Sequence, residues 1–150
     1  MPDTYERLRT RLDEMATGYP ATSSGSELRI LRQLFSEADA EMFLAMALKP
    51  ESINEVATRL HSDPSIIAQR LEAMARKGLI FRLREGDTVR YFPLPFIVGI
   101  YEFQLNNLSS GLLKDISEYY LSGRSAWAPL FSAPCTAISI PALVSTISVW

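Results

Sequence analysis

The chain has 150 residues, of which 47% are hydrophobic and 21% charged, values that are typical of a folded globular domain and exclude wholesale disorder. A formal net charge of −2 excludes a globally basic nucleic-acid binder but allows a local basic face. The single cysteine, Cys135, can form neither an internal disulfide nor a zinc-binding cysteine cluster, and we expect no cofactor.

The amino-terminal stretch is charged and has no apolar segment of the kind found in signal peptides, so we expect a cytoplasmic protein. Residues 4–15 show helical spacing of their apolar side chains, and the segment TGYPATSSGS that follows is rich in helix breakers. We therefore assign residues 1–25 to an N-terminal helix and a linker.

Two later helix starts carry capping signals. Ser36 is followed three residues later by Asp39, which imitates a capping box, and Ser52 with Glu55 gives the full pattern. Asp63 and Pro64 then suit the cap and the first position of another helix.

The helix that begins near Pro64 is predicted to run to Lys77 and to end where Gly78 adopts a left-handed conformation. Its spacing turns Ile67, Leu71 and Met74 toward the core.

Two short strands follow, joined by the turn EGD, in which Gly86 supplies a positive φ. The order helix, helix, turn, helix, hairpin is that of a winged helix-turn-helix, which we place at residues 26–95. The predicted fold is mainly α with a small β-hairpin, a winged helix-turn-helix flanked by N- and C-terminal helices.

Residues 96–122 are predicted to form one long helix that packs on the domain and on a second chain, because apolar residues cover much of its circumference. Residues 123–150 form a tail that has no charge from Ser125 onward. Three prolines interrupt it, so we expect an extended segment or a docking tail and no membrane span.

Because Ile67, Leu71 and Met74 face the core, the helical spacing places Gln69 and Arg70 on the solvent face of the Pro64 helix. There Gln69 could form paired hydrogen bonds with adenine, and Arg70 with guanine. In a winged helix this face enters the major groove while the hairpin meets phosphates. The candidate DNA contacts are Ser65, Ile66, Gln69, Arg70, Arg82, Arg84 and Arg90. Residues 52–93 contain seven basic and five acidic side chains, so 7 − 5 gives a charge of +2.

Other features of the same region favour a protein contact. Glu85 and Asp87 at the hairpin tip would repel phosphate, and Ile66 suits an apolar partner as well as a thymine methyl group. Exposed strand arginines also serve solubility and edge protection. The chain has no phosphate loop, nucleophile elbow or dinucleotide fingerprint, so we expect no enzymatic activity.

The run IIAQRLEAMARKGLIFR resembles MarR- and ArsR-type winged helices in the spacing of its apolar residues and its Gly-Leu-Ile ending. This resemblance implies DNA binding as a homodimer and regulation of transcription, with double-stranded DNA as the partner.

A closer resemblance covers about the first 120 residues. The segments SGSELRILRQLFSEADAEM and PFIVGIYEFQLNNL resemble the N-terminal region of prokaryotic ferredoxin-type proteins, in which a winged helix precedes a 4Fe-4S cluster domain. The present chain has no cluster-binding cysteine run, so cluster binding does not carry over. The alternative function is therefore a protein-interaction module accessory to an iron-sulfur electron-transfer system, with a redox protein as partner. A third reading, a ligand-sensing domain, needs a closed apolar pocket near Tyr101 and Tyr119.

Overall fold

A computed structural model describes residues 1–122 of the chain. Within them the protein is mainly helical and carries one small antiparallel sheet. Its elements in chain order are α1 (Thr4–Asp13), α2 (Ser26–Leu34), α3 (Glu37–Ala45), β1 (Glu51–Ser52), α4 (Ile53–Leu60), α5 (Pro64–Arg76), β2 (Ile80–Glu85), β3 (Thr88–Pro93), α6 (Tyr101–Gln104) and α7 (Ser110–Leu121).

The predicted helix caps are present. The hydroxyl oxygens of Ser36 and Ser52 each accept a hydrogen bond from the backbone N–H three residues later. In return, the backbone N–H of each serine donates to the carboxylate of that later residue, so both capping boxes are confirmed. Asp63 caps α5 by accepting the N–H of Ser65 at 2.7 Å. These local bonds satisfy backbone donors that have no partner within the helix, which is why the three helices begin at these residues.

Helix α5 buries the face that the spacing predicts. Ile67, Leu71 and Met74 are all 2% exposed or less. Gly78 follows the cap residue Lys77, and its φ of 73° lets its own N–H reach the carbonyl of Ala75 while the N–H of Leu79 reaches that of Met74. This pair of bonds is the Schellman arrangement, and it directs the chain into β2.

Strand β3 lies in the centre of the sheet, between β1 and β2. The β2–β3 hairpin pairs Ile80 with Pro93 at its base and Glu85 with Thr88 at its tip. Gly86 has a φ of 60° and Asp87 has no positive φ, a combination that a type II′ turn requires. The predicted hairpin and its turn glycine are confirmed.

Helices α2 and α7 pack together on one side of the molecule, beside the segment that carries Tyr19. The ring of Tyr19 lies 4.4 Å from that of Phe96 and 5.1 Å from that of Tyr119, centroid to centroid, and all three are buried. Arg29 of α2 donates to Asp115 and Glu118 of α7, which pairs these helices at the surface. Tyr19 and Tyr119 therefore pack in the core between α2, α7 and the Phe96 segment.

The prediction of one helix from residue 96 to 122 is wrong. Phe96–Ile100 is an irregular turn in which Val98 has a φ of 56° and Gly99 is extended. A four-residue helix, α6, follows, and α7 begins only where Ser109 caps it by accepting the N–H of Leu112 at 3.1 Å. Helix α7 turns its buried face toward α2, so part of the apolar surface expected to face a second chain is covered within the molecule.

None of the helices within residues 1–122 is long and apolar enough to cross a bilayer. The predictions for residues 123–150 and Cys135 fall outside the described part of the chain.

Candidate nucleic-acid interface

The outward face of α5 is open to solvent. Ser65, Ile66, Gln69 and Arg70 are exposed, and Ile66 keeps 58% of its surface accessible. The Ser65 hydroxyl donates to the cap carboxylate of Asp63, so its oxygen is left as an acceptor. No part of the chain within residues 1–122 covers this face.

The two side chains expected to read bases are not committed to other contacts. Among residues 1–122, neither the side chain of Gln69 nor that of Arg70 makes a hydrogen bond or an ion pair. Arg70 borders a shallow groove of about 400 Å³ between α3 and α5, together with Ile66 and Glu41. Both long polar side chains can therefore meet a ligand without breaking an existing interaction.

The hairpin arginines lie on two different faces. Residues that pair across antiparallel strands share a face, so Arg82 lies with Tyr91, and Arg84 lies with Val89 on that same face. Arg90 pairs with Leu83 on the opposite face. The sequence placed all three arginines near phosphates, whereas the register gives only two of them a common surface.

One carboxylate links this hairpin face to α5. Glu72 lies 3.2 Å from Arg82 Nε and 3.6 Å from Arg76 Nε, and it accepts the hydroxyl of Tyr91 at 3.0 Å. Burial raises the pKa of Tyr91, and the hydrogen bond to Glu72 raises it further. Glu72 follows Gln69 by three residues, so the Arg82 face adjoins the exposed row of α5.

The hairpin tip carries mixed charge. The Nε of Arg84 donates to the carbonyl of Gly86 at 3.2 Å, which folds this side chain over the turn. Glu85 and Asp87 stand exposed beside it. The tip therefore carries one cation and two carboxylates.

Three carboxylates form ion pairs with four of the seven basic residues between 52 and 93. Arg59 pairs with the buried Glu51, Lys77 pairs with Asp39 at 2.7 Å, and Arg76 and Arg82 share Glu72. The three others are Arg70, Arg84 and Arg90, and the charge of Arg90 lowers the pKa of Glu55 after the larger effects of the Ser52 hydrogen bonds. The positive face is therefore modest, as the sequence predicted.

The single histidine of the chain, His61, follows the last residue of α4 as its C-terminal cap. His61 is exposed and adopts a φ of 48°, and it ends α4 at the turn before α5. The described residues contain no group of three or more His, Cys, Asp or Glu side chains placed to hold a metal ion.

Glu72 is the residue that sequence reasoning missed. The sequence shows its helical spacing to Arg76, since i and i+4 are neighbours on a helix. Its contacts with Arg82 and Tyr91 depend on how the hairpin folds back, which no local pattern encodes.

No protein-family model matches the chain, and no curated protein matches it at a significant level.

Proposed function

We propose that the protein is a cytoplasmic winged helix-turn-helix regulator of transcription, without enzymatic activity, that binds double-stranded DNA as a homodimer. In this proposal α4 and α5 form the helix-turn-helix and the β2–β3 hairpin is the wing. The observation that supports it best is the row of α5 that residues 1–122 leave exposed, beside the Arg82 and Arg84 face of the hairpin. A reading helix with an adjoining cationic ribbon suits base contact flanked by phosphate contact.

Each side chain takes a role that fits its chemistry. Gln69 pairs with adenine and Arg70 with guanine through two hydrogen bonds each, Ile66 meets a thymine methyl group, and Ser65 approaches the groove edge. Arg84 and Arg82 meet phosphates. Arg90 lies on the other face of the hairpin and does not take part in this contact.

The dimer in this proposal uses the apolar side chains that the fold leaves exposed after Pro95. Val98 is 73% exposed, Phe103 and Leu105 are each 51% exposed, and Leu113 is 50% exposed. A two-fold axis through this surface would present two α5 helices to a palindromic site.

The test is the affinity of purified protein for a pool of random duplexes, measured by fluorescence anisotropy at several salt concentrations. The proposal predicts affinity that falls steeply as salt rises, because phosphate contacts release counterions. Arg70→Ala should weaken binding to a selected site by roughly 1–3 kcal/mol and relax the preference at one base pair. The salt slope is the slope of the logarithm of the affinity plotted against the logarithm of the salt concentration. Arg84→Gln should reduce the magnitude of this slope by about one.

Arg7→Gln is the control, because Arg7 is also an exposed arginine but lies on α1, where it pairs with Glu41 at 3.5 Å. It should leave both the affinity and the salt slope close to those of the wild type. Absence of salt-sensitive binding to every duplex, or equal effects of Arg7→Gln and Arg84→Gln, would contradict the proposal.

A second candidate is a winged helix used as a docking module for a redox protein in an iron-sulfur electron-transfer system. Ile66 favours it, because this side chain is 58% exposed beside a groove that Met42, Leu60 and Ile67 also line. An apolar side chain at a groove edge suits a protein anchor.

A photo-crosslinking residue at position 66 separates the two candidates. Recovery of redox subunits crosslinked at this position, with no duplex binding, would support the docking module. Crosslinks to DNA alone would remove it.

A further inference from the structure

Glu72 holds two cations from two different elements. Arg76 belongs to α5 and Arg82 to the hairpin, and both guanidinium groups lie within 3.6 Å of the same carboxylate. One negative charge therefore faces two positive charges. The Tyr91 hydroxyl occupies a further acceptor position on the same carboxylate.

The carboxylate is half-buried, whereas the cations are open. The side chain of Glu72 is 33% exposed, that of Arg82 43% and that of Arg76 79%. The carboxylate is thus fixed in the joint between α5 and the hairpin, while both guanidinium groups can swing outward. Ion pairs with this exposure are weak, so a phosphate can replace Glu72 as the partner of either arginine.

We infer that Glu72 is an electrostatic mask: it occupies Arg82 and Arg76 in the free protein and competes with a polyanion for them. This inference rests on the proposed function, because it assigns the α5 and hairpin surface to a phosphate-bearing partner. Glu72 does not contact the nucleic acid in this account and acts through the arginines that do. Because of this competition, the affinity for a polyanion is lower than the number of arginines alone implies. The affinity also falls less steeply as the salt concentration rises.

Glu72→Gln is the informative variant. The amide oxygen still accepts the hydroxyl of Tyr91, so the joint is kept, while the competing charge is removed. The affinity for duplex should rise roughly threefold to tenfold at low salt, and the salt slope should steepen by up to about 0.9. Glu14→Gln makes the same charge change at the exposed end of α1 and should change neither quantity.

The double variant Glu72→Gln with Arg82→Gln shows whether the gain passes through the arginine. If Arg82 is the masked cation, most of the gain should vanish in the Arg82→Gln background. A purely structural role for Glu72 predicts a different result, namely weaker binding and lower stability of the single variant with no change in the salt slope.

Elution from immobilised heparin gives a readout that does not require duplex binding. Glu72→Gln should elute at higher salt than both the wild type and Glu14→Gln. Failure of the wild type to bind any duplex would contradict the proposed function, and the heparin result would still decide the role of Glu72. Equal elution of Glu72→Gln and Glu14→Gln, or duplex binding that does not tighten, would overturn the inference.

Discussion

Gly78 occupies a position that excludes a Cβ atom for two separate reasons. Its φ is 73°, a left-handed conformation that costs an L-residue about 1–2 kcal/mol. A Cβ built on it would also lie 2.3 Å from the Cβ of Phe103, which is fixed to the backbone and cannot rotate away. The end of α5 is therefore specified by backbone conformation and by packing together.

Gly78→Ala should lower the free energy of unfolding by more than Gly86→Ala does. Gly86 has a φ of 60° but nothing within 4 Å of its Cβ position, so it isolates the conformational cost. The difference should be about 1–3 kcal/mol, the usual range for overpacking. Urea denaturation of the two variants measures it, and equal losses would show that the Phe103 contact yields without cost.

Val98 already carries, in the native protein, the backbone strain that a substitution would introduce at Gly78. A β-branched residue at a φ of 56° is a genuine conformational outlier, and this one is 73% exposed in the single chain, so its side chain gains little from burial within one chain. Val98→Gly should relieve about 1–2 kcal/mol of strain and lose roughly 0.5–1 kcal/mol to the freedom of glycine in the unfolded chain.

The net expectation is a small rise in the melting temperature of Val98→Gly at protein concentrations low enough to keep the chain monomeric. Val89→Gly is the control, because Val89 lies in β3 with no positive φ, and it should lower the melting temperature. A fall for both variants would mean that Val98 is held by contacts that offset its strain.

The helix ends of this protein are set largely by local chemistry. Ser36, Ser52 and Asp63 each bind backbone donors within two or three residues, so short sequence patterns were enough to predict where three helices begin. Gly78 and Gly86 were predictable for the same reason, since each turn requires a positive φ.

The failure at residues 96–122 has a physical cause. Apolar residues at helical spacing run through this segment, but the irregular backbone at Gly99 delays the first helix to Tyr101, and the chain leaves that helix after Gln104 until Ser109 caps α7. Contacts between distant elements, such as that of Glu72 with Arg82, depend on the assembled fold and were beyond the reach of sequence patterns.

One ion pair ties the end of α5 to α3. Lys77 Nζ lies 2.7 Å from a carboxylate oxygen of Asp39, which is 8% exposed. Burial raises the pKa of Asp39, but the hydrogen bonds from Lys77 and Ser36 outweigh it, so the pKa lies below its ordinary value. Asp39 therefore stabilises the fold above its unfolded pKa of about 4, and this contribution is lost as the pH falls through the lower folded pKa.

Lys77→Met should lower the free energy of unfolding at pH 7 by about 1–3 kcal/mol, because it leaves a buried carboxylate without its cation. The difference from the wild type should shrink as the pH falls below about 4 toward the lowered pKa of folded Asp39, because protonation removes the buried charge. Urea denaturation at pH 7 and pH 3 measures both effects. Lys114→Met, on the exposed side of α7, should show neither. A loss of the same size at both pH values would contradict the ion-pair account.

The proposed dimer depends on apolar side chains that remain exposed in the single chain. Leu105→Glu should shift the protein toward the monomer in sedimentation equilibrium, because a charge cannot be buried there without a partner. Leu48→Glu is the control, since Leu48 has a similar exposure of 54% but lies between α3 and β1. Equal association of both variants would place the dimer interface elsewhere.

The central claim is that the exposed row of α5 and the adjoining hairpin face form one nucleic-acid surface. Amide chemical-shift changes in the ¹⁵N-labelled protein, followed while duplex DNA is added, test it most directly. The account predicts that shifts concentrate at residues 65–70 and 82–86, while the amides of α1 and α7 stay largely unchanged. Shifts that leave α5 and the hairpin unchanged, or that fall mainly on Arg90 and α4, would contradict it.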